Sequence, residues 1–465
     1  MKKFLTLILL VLSPHLVHSW GSLKHKIEKA IDEVNPNLTV GIQIRSFPGG
    51  NIIYAKDDQR LFIPASVHKK LITLAALIKL GPDYKFQTAL SQKGPNIYLR
   101  FSGDPVFKLI DLVGLFKELK QMGVSKIRGD LIVDDSFFTL PPFPNGYSLD
   151  IMRLLFGAPV VTANINKNVV CFDLVPAETV TSPAHVNYRK DQAPYKIEGS
   201  VQTGLCTPTT GIERHHLDLE EDHIRVGGCI DFKGNPLKLC LPVKQHNLKS
   251  YLIRNIRHAL KEAGVSLKGS IKMRSFNGAG TTVATHASPP LKDLVTEGMK
   301  MSDNTIMQAL FLTIVSHQSP PILKWDTAGL MIRDILATYF KMDLSTIVIE
   351  EGTGGSKLNL LSPHVLSELF WKGLHDEKFG HIFADSLSIA GVDGSLEPRL
   401  KDLPPGIKFK GKTGGLSNIS TLTGVIEKDL QPRLLFTIMM NSFAEANTAY
   451  TKLQDKIIHI LAESL

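Results

Sequence analysis

The chain has 465 residues, carries 53 Lys+Arg against 44 Asp+Glu for a formal charge of +9, and is 43% hydrophobic and 21% charged. That balance excludes a disordered chain. At roughly 150 residues per domain the length excludes a single small module and suggests about three domains.

The first stretch has Lys2 and Lys3, an apolar run from Phe4 to Leu12, and Val17-His18-Ser19 where a signal peptidase would read. This is the pattern of an export signal over residues 1–19, cleaved near Ser19-Trp20. The apolar run is about half of the roughly 20 residues that span a bilayer, so an N-terminal anchor fits less well. The expected product is soluble and exported, hence periplasmic. It stays basic once Lys2 and Lys3 are gone, which suits peripheral association with anionic wall polymer or lipid headgroups. Lys/Arg clusters with interleaved aromatics and zinc-finger spacings are absent from the sequence, so nucleic-acid binding has no support.

Residues 39–47, TVGIQIRSF, and 51–55, NIIYA, alternate as two strands around Pro48-Gly49-Gly50. Pro64-Ala65-Ser66 then opens a helical period in Leu71, Leu74, Ala75 and Leu77 that ends at Gly81-Pro82. From Phe86 to Val133 the pattern is strand, strand, helix (110–122), strand. A helix over 248–263 and a strand near 270–273 complete an α/β unit. Residues 168–245 between them are β-rich, with strands expected at 169–174 and 227–232. They hold all four cysteines, Cys171, Cys206, Cys229 and Cys240. No C-x-x-C pair is present, so a structural zinc site is not expected. One or two disulfides in any of three full pairings, or buried free thiols, remain open. Helices follow at 291–301, 305–316, 328–339 and 363–374, the last capped by Ser362. Strands at 407–412, 419–427 and 433–440 and a helix over 447–462 close the chain. Strands at both ends suggest one sheet built from distant parts of the sequence.

Three short motifs carry chemistry. Ser66-Val67-His68-Lys69 is the only Ser-x-x-Lys in the chain. On a helix its hydroxyl and amine project to one side, and a desolvated lysine beside other cations can take the serine proton. His68 points away from both, toward packing or surface. Ser302-Asp303-Asn304 joins two helical stretches, where a hydroxyl can relay a proton and an amide can hold a carbonyl. Ser275-Phe276-Asn277 has the same form but lies in the Gly-rich loop RSFNGAG with no helix to fix it. Lys412-Thr413-Gly414, followed by Gly415, ends a strand, where an ammonium and a hydroxyl can anchor a carboxylate and a peptide can lie along the glycines.

In this order the three motifs form the signature set of serine acyl-transferases that react with penicillin. The chain resembles the class C, low-molecular-mass penicillin-binding proteins, the D-alanyl-D-alanine carboxypeptidase/endopeptidases of peptidase family S13. The long interval from Ser66 to Ser302 matches that family's insertion. So do Ser102-Gly103-Asp104-Pro105, GDLIVDDSFF (129–138), GAPVVTANINKN (157–168), EGTGGSKLNLLSP (351–363) and AGVDGSL (390–396).

The resemblance implies an α/β, β-lactamase/transpeptidase-like domain with an antiparallel sheet flanked by helices. Its parts would be residues 20–87 and 289–465, split by an inserted α/β domain at 88–288 that nests the β-rich subdomain at 168–245. It implies Ser66 as acylated nucleophile, Lys69 as general base and Ser302 as proton relay. Asn304, Lys412, Thr413 and Gly414 would hold substrate, with the Ser66 and Gly415 N–H groups as oxyanion donors. Gly415 departs from the small polar residue the family often carries there. Asp150 in NGYSLDIM falls where some relatives recognise the free amine of the peptide side chain, although a solvated Asp at a helix start suits the place better. Peptidoglycan stem peptides and β-lactams are the implied ligands, without metal or organic cofactor. Two other readings are a β-lactamase, although no matching Glu-x-x-x-Asn loop motif is seen, and a non-catalytic wall-binding scaffold of the same fold.

Overall fold

The computed structural model describes residues 14–189, 191–206, 217–276, 278 and 280–465. The expected export signal falls largely outside them, at residues 1–13, as does Asn277 of the second Ser-x-Asn match. A helix covers Pro14–Val34. Among the described residues no helix is long and apolar enough to cross a membrane.

The two ends of the chain do share one sheet. Its six strands run in the order Ser388–Ile389, Ile407–Leu416, Ile419–Lys428, Gln431–Asn441, Thr39–Ser46 and Ile52–Lys56, with antiparallel neighbours throughout. Gln431–Asn441 pairs with Thr39–Ser46 along the whole of the latter, setting Ile42 opposite Ile438. The run LLFTIMM is apolar at every position but Thr437 because both of its faces are covered. Phe436, Ile438 and Met440 pack with Ile27, Tyr450 and Ile457 of the helices Pro14–Val34 and Asn447–Glu463. Leu435 and Met439 face the opposite layer, in the cluster that holds Leu71, Leu310 and Phe370.

That second layer positions the site. Its central helix, Asn304–Ser316, is buried from Thr305 to Val315 and packs against the helix Lys69–Lys79, itself buried from Lys69 to Leu77. The helix expected at 363–374 spans Pro363–Leu374, and Ser362 Oγ accepts Val365 N at 3.2 Å. Other helices differ from expectation by a few residues at their ends, as with Trp325–Phe340.

Between these parts lies a five-stranded sheet in the order Ile271–Met273, Leu131–Asp134, Asn96–Arg100, Gln87–Lys93 and Thr281–Ala287, backed by the helices Leu109–Gln121 and Leu248–Ala263. The described residues between 169 and 242 include several smaller sheets, and here both disulfides are made. Cys171 and Cys240 stand opposite each other in the pairing of Val169–Val175 with Leu237–Pro242, and Cys206 joins Cys229. The fold is α/β, as the sequence implied.

Candidate active site

Ser66 lies in a tight turn, Ala65–His68, that runs straight into the helix Lys69–Lys79. Ala65 takes a left-handed φ of 48°, which turns the chain sharply enough to leave Ser66 half-exposed above a buried helix. Lys69 is fully buried, and its Nζ stands 2.7 Å from Ser66 Oγ and donates to Thr353 O at 2.8 Å. Burial drives its pKa down to about 7, against the opposing charges of Glu351 and Asp303. The amine can therefore be an unprotonated base near neutrality.

Ser302, between the helices Leu291–Lys300 and Asn304–Ser316, also has a left-handed φ, of 55°. Lys412 Nζ lies 2.9 Å from Ser302 Oγ and donates to Thr413 O at 2.8 Å. Lys412 is fully buried, and burial, reinforced by the charge of Lys69, holds its pKa well below the ordinary lysine value. Thr413 Oγ1 donates to Ser395 Oγ at 2.8 Å. Gly414 presses the strand against the Ala65–His68 turn, since a Cβ there would stand 2.8 Å from Ser66 N and 2.3 Å from Thr421 Oγ1. At Gly415 a Cβ would meet nothing nearer than 3.9 Å, so a side chain would fit there. The Ser66–Lys69 pair, the Ser302–Lys412 pair and the strand through Thr413, Gly414 and Gly415 are thus brought together at one site.

Two expected residues stand differently. Asn304 opens its helix beside Ser302, but its Nδ2 donates to Phe156 O at 2.8 Å. Asp150 is exposed in the short helix Leu149–Met152, capped by Ser148, and among the described residues its carboxylate has no hydrogen-bond partner. The segments on either side of it reach Asn304 and Thr353: Tyr147, Phe156, Asn304, Gln308 and Thr353 line one small recess. His68 is buried, with Nε2 2.7 Å from Glu351 O, and so belongs to packing and not to the surface.

Sequence reasoning gave no role to several contributors. Glu351 and Thr353 come from EGTGGSKLNLLSP and Ser395 from AGVDGSL, segments that signalled family and turn chemistry but no contact with the motifs. Lys70 is fully buried, its Nζ 3.1 Å from the Phe370 ring centroid and 3.4 Å from Thr423 O. A Lys in an otherwise apolar helical run was the available signal. Among the described residues no group of three His, Cys, Asp or Glu is placed to hold a metal ion.

Residues 23–464 match the D-Ala-D-Ala carboxypeptidase 3 (S13) family. A D-alanyl-D-alanine carboxypeptidase DacB from Haemophilus influenzae is 26% identical over 416 residues, 87% of this chain and 86% of that protein. The crystal structure of penicillin binding protein 4 (dacB) from the same organism superposes with a TM-score of 0.80 at 23% identity, covering 94% of this chain and 99% of that one. Its complex with a β-lactam superposes with a TM-score of 0.75 at 23% identity, covering 95% and 99%. With a family match along nearly the full described length, the chain belongs to the D-Ala-D-Ala carboxypeptidase 3 (S13) family.

Proposed function

We propose that the protein is a serine-type D-alanyl-D-alanine carboxypeptidase and endopeptidase, sensitive to penicillin, that works through an acyl-enzyme on Ser66. The observation that carries this reading is the 2.7 Å approach of the buried, readily neutralised Lys69 amine to Ser66 Oγ. Lys69 takes the hydroxyl proton as Oγ attacks the carbonyl carbon of the penultimate D-Ala. Negative charge gathers on the carbonyl oxygen, where the N–H groups of Ser66 and Gly415 serve as donors. Ser302, beside Lys412, passes a proton to the departing amine, and free D-Ala leaves. Water then attacks the ester, and Ser66 Oγ recovers its proton. Lys412 and Thr413 grip the terminal carboxylate, whose charge favours the protonated form of Lys412.

Asn304 holds the peptide once substrate takes its amide from Phe156 O. Asp150 serves the amine of the stem-peptide side chain. The division at 88–288, the nested unit at 168–245 and periplasmic export through residues 1–19 belong to the same proposal, supported by the separate sheets and by the family's action on wall peptides.

Labelled penicillin should bind covalently to the wild type and not to Ser66→Ala. Incubation with purified muropeptides and mass analysis should show loss of terminal D-Ala and cleavage of D-Ala cross-links. Rapid drug turnover would favour a β-lactamase, and an unlabelled wild type a scaffold.

A further inference from the structure

A fully buried carboxylate, Glu351, stands behind the Ser66–Lys69 pair without a hydrogen bond or ion pair to either residue among the described residues. Glu351 Oε2 accepts Thr353 N at 2.6 Å, and Oε1 accepts Gly354 N at 2.7 Å and Asn359 Nδ2 at 2.9 Å. Those bonds wrap the chain around the carboxylate and turn Thr353 O toward Lys69, where it accepts the Nζ donor at 2.8 Å. The wrapped segment is locked onto the nucleophile turn at two further points. Glu351 O lies 2.7 Å from His68 Nε2, and Gly354, with φ of +81°, comes so close that a Cβ would sit 2.0 Å from Ala65 O.

A carboxylate is costly to bury, and a turn of this kind could be held by neutral acceptors. Its charge has an evident use here. Lys69, Lys70 and Lys412 are all fully buried. The groups around Lys69 are His68 and Lys70 on its own turn and helix, Lys412 on the facing strand, Tyr147 near Glu351, and Asp303 at the start of the next helix. Asp303 is already paired with Lys167. Among the described residues Glu351 has no ion pair of its own, so its field falls on the amines. We infer that Glu351 is a positioning residue for Lys69, aiming the amine at Ser66 through Thr353 O and supplying the negative charge this amine cluster lacks.

The inference rests on the function proposed above, with Lys69 as base. Burial lowers the proton affinity of Lys69 and Glu351 is the largest force opposing it. With that charge removed, the amine should lose its proton at lower pH still. A residue that merely held the fold would lower the rate equally at every pH.

The test is the rate of covalent penicillin labelling between pH 5 and 9 for the wild type, Glu351→Gln and Glu351→Asp. Glu351→Gln should react at least about tenfold more slowly at its plateau, with the acid limb displaced downward by about one pH unit. Glu351→Asp keeps the charge and should slow the reaction while leaving the limb in place. Wild-type and Glu351→Gln profiles that superpose, or that differ in height with a common limb, overturn the inference. Should Glu351→Gln not fold, Glu351→Asp decides, because a full wild-type rate in that variant also overturns it. A wild type that takes no label at all sinks the functional reading itself, a result distinct from labelled proteins with identical profiles.

Discussion

Lys412 Nζ stands 2.9 Å from Ser302 Oγ although 110 positions of sequence separate the two residues. A strand from the end of the chain and a turn between two helices meet there, and the hydroxyl of one is oriented by the amine of the other. If this pair carries the proton to the leaving amine, Ser302→Ala should release D-Ala from a stem peptide roughly 10²-fold or more slowly. Lys412→Met should also weaken recognition of the terminal carboxylate. Release by Ser302→Ala within threefold of wild type rules out the relay.

The acid side of the pH profile should belong to Lys69. Its folded pKa of about 7 lies below the ordinary 10.5, so acylation should rise as pH passes through about 7. Stability follows the same group. Between these values the unfolded chain binds a proton that the folded chain does not, so this contribution to stability increases with pH across the window and is lost as pH falls toward 7. Urea midpoints at pH 6.5 and 9 should therefore differ more for the wild type than for Lys69→Met. Equal differences would show that Lys69 is not the group responsible.

Gly414 and Gly415 should tolerate substitution very differently, although neither has a left-handed φ. Gly414→Ala drives a methyl against Ser66 N and Thr421 Oγ1 and should cut penicillin labelling at least about tenfold, in keeping with the sensitivity of reactivity to small misplacements of a nucleophile. Gly415→Ala meets open space and should react within about threefold of wild type. A normal rate for Gly414→Ala would mean that the strand can retreat from the nucleophile turn.

Reduction should loosen the middle of the chain and spare the Ser66 site. The disulfides close intervals of 69 and 23 residues, for which chain entropy predicts about 4 and about 3 kcal/mol. Limited proteolysis under reductant should cut first within residues 169–242, while Ser66 still takes labelled penicillin. Simultaneous loss of label would show that these small sheets hold the Ser66 site together.

Much of this protein was legible in local pattern. The helix Leu248–Ala263 has the span expected of it, and Gly264, with its left-handed φ of 66°, is what stops it. Ser362 was legible as a cap for the same kind of reason, a hydroxyl placed before a proline-led helix. The three motifs were legible by residue type and order. Glu351 was not, since nothing in its neighbours says that a carboxylate will be sealed beneath a lysine 282 positions earlier in the chain; that contact is revealed by Thr353 O meeting Lys69 Nζ at a separation of 284. The destination of the Asn304 amide was hidden likewise, for Phe156 O comes from a turn 148 positions away.

The sequence by itself determined the elements, the nucleophile turn and the chemical groups on offer, because capping, periodicity and side-chain chemistry act over a few residues. Only the tertiary structure decided which cysteines join, which carboxylate faces the buried amines and how far each lysine gives up its proton. Those outcomes depend on burial and on distances between remote segments, and desolvation has no local signature in the chain.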